Sequence, residues 1–311
     1  MLLSYAQIRQ LTIGAVNVFE DESGIHFRRF TERQIDVIFE SDPTERNHDT
    51  TGIRIDFHTD ATKVIINTGS GGKYEILLND LTAFWDCFDA PAEIELDLDG
   101  QDNRITVVFP DHKEGIIRSI QLVDATYAKP HEYPVKLAFY GDSITQGWNS
   151  EKDSQTYAWL VSRFFDADSR IYGIGGTTFI PAFPEDTGYR PDAVIVAMGT
   201  NDYGRNKPME QIKADCTAYM KAVAEANPGS KLFCVTPIWR RVGVNVKAAG
   251  TLADVRLEIA RIATESGYIV IDGLTMVPHR LEYYADKGTH PNDLGFSIFA
   301  LNLSKALRQY L

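Results

Sequence analysis

The chain has 311 residues, long for one hydrophobic core, so one large or two medium domains are expected. Its 31 Lys and Arg against 43 Asp and Glu give a formal charge of −12, which repels phosphate backbones and anionic lipid, argues against nucleic-acid and membrane partners and suits a neutral substrate. Cys87, Cys216 and Cys234 are odd in number and far apart and read as buried thiols, no segment reads as a signal peptide, and no run approaches membrane-spanning length; the expectation is a cytoplasmic protein.

From about residue 11 to 125 the pattern has a period of two. Ile53, Ile55 and Phe57 fall on one side and Arg54, Asp56 and His58 on the other, and Ile94, Leu96 and Leu98 alternate with acidic residues. Turn-forming clusters at 67–72, 99–103 and 111–115 punctuate these runs, and many short strands so divided predict a β-sandwich or jelly roll. The acidic strand 93–99 reads as a solvated face rather than a calcium site. The stretch 67–74 suggests a phosphate loop but lacks its first glycine and the hydroxyl after Lys73, and it joins two β runs, so it reads as a turn. Residues 128–134, with two prolines and no periodicity, read as a linker, which places an all-β domain over 1–130 and a second domain over 135–311.

From Val135 onward strands alternate with helical stretches, the pattern of an α/β domain with a parallel sheet in three α/β/α layers. The apolar run 135–140 predicts a buried parallel strand that ends at Gly141-Asp142-Ser143; 169–174 leads into Gly175-Gly176, and 192–198 into Gly199-Thr200-Asn201. Helical spacing covers 156–165, 208–226, 250–266 and 292–311, with short strands at 231–236 and 268–271. Ligand chemistry belongs at strand ends in such sheets, so three strand ends are expected to converge on one site. There Ser143 can attack a carbonyl, and Gly176 and Asn201 can donate hydrogen bonds to an oxyanion. Of seven histidines, only His279 and His290 follow the serine strand. His290 opens the last helical pattern, where a loop can aim it back over the sheet, whereas His279 follows Pro278 with no partner motif. The plain structural alternatives are a turn with a helix-capping serine at 141–143 and a helix cap at His290.

The segments G-D-S-I-T (141–145), G-G-T-T (175–178), G-T-N-D (199–202) and T-H-P-N-D (289–293) occur in that order, and together they resemble the SGNH, or GDSL-type, hydrolases over Val135 to Leu311. The resemblance implies that Ser143 is the nucleophile and gives a backbone N–H, that Gly176 gives a second N–H and Asn201 an amide, and that His290 is the base. One position departs from the pattern. The family usually has Asp three residues before the histidine; here Lys287 stands there and Asp286 lies four before. Either Asp286 reaches the ring from a longer loop, making a triad, or a backbone carbonyl orients His290 in a dyad.

A β-sandwich before such a domain resembles carbohydrate esterase family 2, which removes acetyl groups from plant polysaccharides and some of whose members orient the histidine without Asp. Under that resemblance Trp239 is a candidate platform for a sugar face, or a residue closing the domain interface; Tyr203 has the same two readings, and Trp148 is expected to pack the first loop. The implied function is a serine esterase acting on small acyl esters of carbohydrates, O-acetyl above all. Its substrate would be a small-molecule or oligosaccharide ester; no cofactor is called for, and a homo-oligomer is left open. A lipid or thioester acyl hydrolase is the alternative within hydrolases, and an inactive carbohydrate-binding protein the alternative outside them. A dinucleotide fingerprint begun by Gly173-Ile174-Gly175 fails at Thr178, no G-x-S-x-G surrounds Ser143, and the absence of H-E-x-x-H and C-x-x-C leaves no evident metal ligand set.

Overall fold

Period-two alternation in the N-terminal half becomes two antiparallel sheets. In the computed structural model, which describes residues 1–41 and 48–311, the chain divides into two units: Met1–Thr31, Arg46–Tyr133 and Lys152–Ser154 form the first, and Glu32–Glu45, Pro134–Glu151 and Gln155–Leu311 the second. In the first unit helix α1 (Tyr5–Leu11) starts on a capping box made by Ser4 and Gln7. The strands are β1 (Thr12–Ile13), β2 (Asn17–Asp21), β3 (Gly24–Arg28), β4 (Arg54–Thr59), β5 (Lys63–Thr68), β6 (Gly72–Leu78), β7 (Leu81–Phe88), β8 (Glu93–Asp97), β9 (Asn103–Val108), β10 (Ile116–Val123) and β11 (Ala128–Pro130). One sheet runs β2-β3-β10-β5-β8 and the other β1-β4-β9-β6-β7, with β11 also on β4. From β3 to β10 the orders 3-10-5-8 and 4-9-6-7 are those of a jelly roll. Ile55, Phe57, Val64, Ile66, Ile105, Val107 and Ile120 fill the space between the sheets and are fully buried. The acidic side chains of β8 are exposed, as its alternation requires.

Two expectations about the domain boundary change. The stretch read as a linker is folded structure: β11 pairs antiparallel with β4 (Lys129↔His58), and the Tyr133 hydroxyl donates to Asp56. Asp56, on the supposedly polar side of β4, is buried and accepts from the Arg104 guanidinium at 3.0 and 2.7 Å. A buried ion pair needs its remaining lone pairs satisfied, and Tyr133 does this while its ring lies 5.4 Å from the Arg54 guanidinium carbon. The contiguous domains expected over 1–130 and 135–311 are also interleaved, because helix α2 (Glu32–Ser41) belongs to the second unit and Lys152–Ser154 to the first. The buried Gln34 amide donates to Phe183 O at 3.3 Å and Arg33 to Ala182 O at 2.8 Å, while in the first unit Asp153 accepts from the Gly52 N–H at 2.7 Å.

The second unit is a three-layer α/β/α fold. Its strands β12 (Val135–Gly141), β13 (Ala167–Gly173), β14 (Ala193–Ala197), β15 (Lys231–Val235) and β16 (Ile269–Ile271) pair in parallel in the order β13-β12-β14-β15-β16. Its helices are α3 (Ser143–Gln146), α4 (Tyr157–Phe164), α5 (Thr200–Gly204), α6 (Met209–Ala226), α7 (Leu252–Glu265) and α8 (Asp293–Leu307). Alternate strand residues divide between the faces. Leu137, Phe139, Ile195 and Phe233 join α4 and α8 in one core, where the Tyr157 and Phe299 rings stack at 4.1 Å. On the α6 and α7 face the Tyr268 hydroxyl donates to Met220 O at 2.7 Å and the Asn227 amide to the Tyr140 hydroxyl at 3.3 Å. Strand order reverses at β12, and the crevice at such a reversal opens at the carboxyl ends of the strands.

Cys216 and Cys234 are buried, and burial pushes the Cys234 thiol up to about 12. Cys87 is exposed, contrary to expectation, because β7 is an edge strand. Among the described residues no helix is long and apolar enough to cross a membrane.

Candidate active site

β12 ends at Gly141, and the chain turns at once into the short helix α3. Asp142 caps that helix, its carboxyl accepting from the Ile144 N–H at 2.9 Å. Ser143 is the first helical residue, and its carbonyl accepts from the N–H groups of Gly147 at 3.0 Å and Trp148 at 2.9 Å. Gly147 ends the helix with φ +93°, a left-handed conformation that favours glycine.

Ser143 Oγ lies 2.7 Å from His290 Nε2, and His290 Nδ1 lies 2.5 Å from Asp286 Oδ2. Asp286 Oδ1 also accepts from the backbone N–H of His290 at 2.7 Å and of Thr289 at 3.1 Å. Asp286 therefore reaches the ring from four residues away. The extra residue is taken up by two successive left-handed conformations, Lys287 at φ +39° and Gly288 at φ +94°. Burial works to raise the Asp286 pKa, but the hydrogen bonds and charge of His290 outweigh it and hold the carboxyl below its ordinary value. With Nδ1–H given to this carboxylate, Nε2 is left as an acceptor facing the serine hydroxyl.

The other two blocks lie at neighbouring strand ends. The Ile174 N–H donates to Gly141 O at 3.1 Å, and the Asn201 amide donates to Thr177 O at 2.9 Å, so hydrogen bonds join the loops after β12, β13 and β14. That bond uses one hydrogen of the Asn201 amide and leaves the second. Gly176 has φ +71° and, among the described residues, neither its N–H nor that of Ser143 has a protein acceptor. Gly173 is required by close approach, because a Cβ there would collide with the Gln146 backbone.

The aromatic candidates separate. Trp239 is half-buried, stacks on His279 with centroids 5.9 Å apart, and packs at 5.2 Å against Tyr284; a Cβ on Gly288 would come within 3.3 Å of its ring, so it lies under the loop that carries Asp286 and His290. Tyr203 is fully buried, with its hydroxyl 2.7 Å from the carbonyl oxygens of Val242 and Asn245. It offers no face to a substrate, which corrects the reading of Tyr203 as a substrate contact. Trp148, expected to pack the first loop, is 42% exposed, and its ring centroid lies 6.3 Å from that of His290. Among the described residues no group of three or more His, Cys, Asp or Glu could hold a metal ion.

Asp142 carries a pH signature. Burial raises its pKa from 3.8 to about 6, against the opposing Ile144 N–H. A raised carboxyl favours the protonated form in the fold, so the stability it contributes is present below pH 3.8 and is lost as pH rises through 6. Asp142→Asn keeps the acceptor for Ile144 and removes the titration. Its stability relative to wild type is expected to rise by about 3 kcal/mol between pH 3.5 and pH 7. Denaturant midpoints at the two pH values check this, and a difference that does not change with pH refutes it.

A model of the GDSL-like lipase/acylhydrolase family matches residues 139–298, just over half of the chain. No curated protein matches at a significant level. Among solved structures the chain is similar to a salicylyl-acyltransferase from a tetracycline biosynthetic pathway, at 19% identity and TM-score 0.86 over 99% of this chain and 97% of that one. It is similar to a family two carbohydrate esterase from Clostridium thermocellum in complex with cellohexaose, at 17% identity and TM-score 0.69 over 87% and 97% of the two chains. An acetyl xylan esterase from the rumen bacterium Butyrivibrio proteoclasticus aligns over 99% and 98% at 14% identity and TM-score 0.68. TM-scores of 0.68 to 0.86 over most of each chain establish a shared two-part fold. With the family match over the unit that holds Ser143 and His290, the chain belongs to the GDSL-like lipase/acylhydrolase family, whose chemistry is the hydrolysis of acyl esters.

Proposed function

We propose that the protein is a serine esterase that releases small acyl groups, acetyl foremost, from hydroxyls of carbohydrates through an acyl-serine intermediate. The observation that carries the reading is the unbroken chain of short contacts from Ser143 Oγ through the His290 ring to the Asp286 carboxylate. As Oγ forms its bond to the ester carbon, its proton passes to His290 Nε2, and the Asp286 carboxylate stabilises the resulting imidazolium. Negative charge develops on the former carbonyl oxygen. The N–H groups of Ser143 and Gly176 and the remaining amide hydrogen of Asn201 are its donors, each of a kind whose loss costs roughly 10²–10³ in rate. His290 then returns the proton to the leaving sugar oxygen, and water repeats the sequence on the acyl-serine to release the acid. Lys287, the departure from the family pattern, takes no part in this scheme. The carbohydrate assignment is supported by the two-part fold shared with carbohydrate esterases, one of them in complex with an oligosaccharide.

Acid release from acetylated xylo-oligosaccharides, from other O-acetyl sugars and from short- and long-chain nitrophenyl esters tests the reading. Preference for acetylated sugars is the expected result. Preference for long acyl chains would move the assignment to a lipid or thioester hydrolase, and no turnover at all would favour a carbohydrate-binding protein. Transfer to an added alcohol in preference to water would make it an acyltransferase, as one structural neighbour is named.

A further inference from the structure

The segment 141–147 is buried throughout, and at its end Trp148 emerges with 42% of its surface exposed. Exposure of a large aromatic gives nothing to the core, yet this one is held in place by its surroundings. Its backbone N–H donates to Ser143 O at 2.9 Å, and its indole N–H donates to Oε1 of the buried Gln146 at 3.0 Å. Gly175, next to Gly176, passes against the indole so closely that a Cβ there would fall 2.8 Å from Nε1 and 3.2 Å from Cε2. The ring lies tilted by 30° beside that of His290, with centroids 6.3 Å apart. A rigid, half-exposed indole thus flanks both the loop of Gly176 and the ring that faces Ser143. Trp239, half-buried, packs against His279 and Tyr284 instead.

We infer that Trp148 is the platform on which the pyranose ring bearing the ester rests. The C–H faces of a sugar ring are apolar, whereas its rim is polar, so a sugar ring packs flat on an indole and keeps its hydroxyls in water. A ring on Trp148 stands next to His290, the group that returns a proton to the leaving sugar oxygen. This inference rests on the carbohydrate ester reading and adds the residue that recognises the alcohol part of the ester.

The test compares kcat/KM on an acetylated xylo-oligosaccharide with kcat/KM on ethyl acetate, which has no ring to stack. Wild type is expected to prefer the sugar ester. In Trp148→Ala the ratio of the two values should fall ~30-fold, carried by KM for the sugar ester, and Trp148→Phe should recover most of it. An unchanged ratio in Trp148→Ala overturns the platform while leaving the carbohydrate reading standing. Equal losses on both esters through kcat also overturn it, since Trp148 would then only position His290. If wild type shows no preference for the sugar ester, the carbohydrate reading fails and the platform fails with it.

Discussion

Ser143→Ala is expected to lower kcat by about 10⁴-fold or more on every ester the wild type cleaves, because nucleophile and base act as one unit. The loss should be chemical and not structural. The carbonyl of Ser143, which anchors Gly147 and Trp148, and its backbone N–H both survive the substitution, and only the hydroxyl facing His290 is removed. Thermal unfolding of the variant should therefore match wild type within a few degrees, and steady-state kinetics on a short ester reads the effect. Retention of more than a tenth of wild-type activity would remove the site assignment as a whole.

The second large effect is expected at Asp286. In Asp286→Asn the amide oxygen can still accept from the backbone N–H groups of His290 and Thr289, so the loop keeps its shape. The amide nitrogen, however, takes the place of Oδ2 against Nδ1 and donates to it. Nδ1 then becomes an acceptor, the proton moves to Nε2, and Nε2 can no longer take the Ser143 proton. The rate should fall roughly 10²–10⁴-fold with KM little changed. Near-normal turnover would instead favour a dyad in which the carboxylate is dispensable.

Much of this architecture is written in local patterns. The alternation through Ile53, Ile55 and Phe57 specifies a strand with one face inside a sandwich, and the short apolar runs that lead into Gly141, Gly175 and Gly199 specify parallel strands ending at one edge. Ser143, Gly176, Asn201 and His290 are legible because each occupies a strand end or a helix start, where a short segment determines position. What was illegible depends on long-range partners. Helix α2 has the composition of any surface helix, and its membership of the second unit is decided by carbonyls of Ala182 and Phe183 that lie 149 residues away. Tyr133 sits in a proline-bordered stretch that looks like a linker until the buried Asp56 is known to need its hydroxyl. Tyr203 adjoins a site segment, but carbonyls 39 and 42 residues further on draw its hydroxyl inward. For Trp148, proximity to Ser143 was plain, whereas the direction of the ring is set by Gln146 and by Gly175 on another loop. Asp286 lies between these cases. Its spacing allowed two geometries, and the left-handed turn at Lys287 and Gly288 selects the one in which the carboxylate meets the ring.

Labelling with a fluorophosphonate, which forms a stable covalent adduct with an activated serine hydroxyl, tests the acyl-serine proposal most directly. Peptide mapping of the inactivated protein by mass spectrometry should find one adduct, on the peptide that contains Ser143, formed in proportion to the loss of esterase activity and absent from Ser143→Ala. An adduct confined to another residue, or full activity in protein labelled at Ser143, would contradict it.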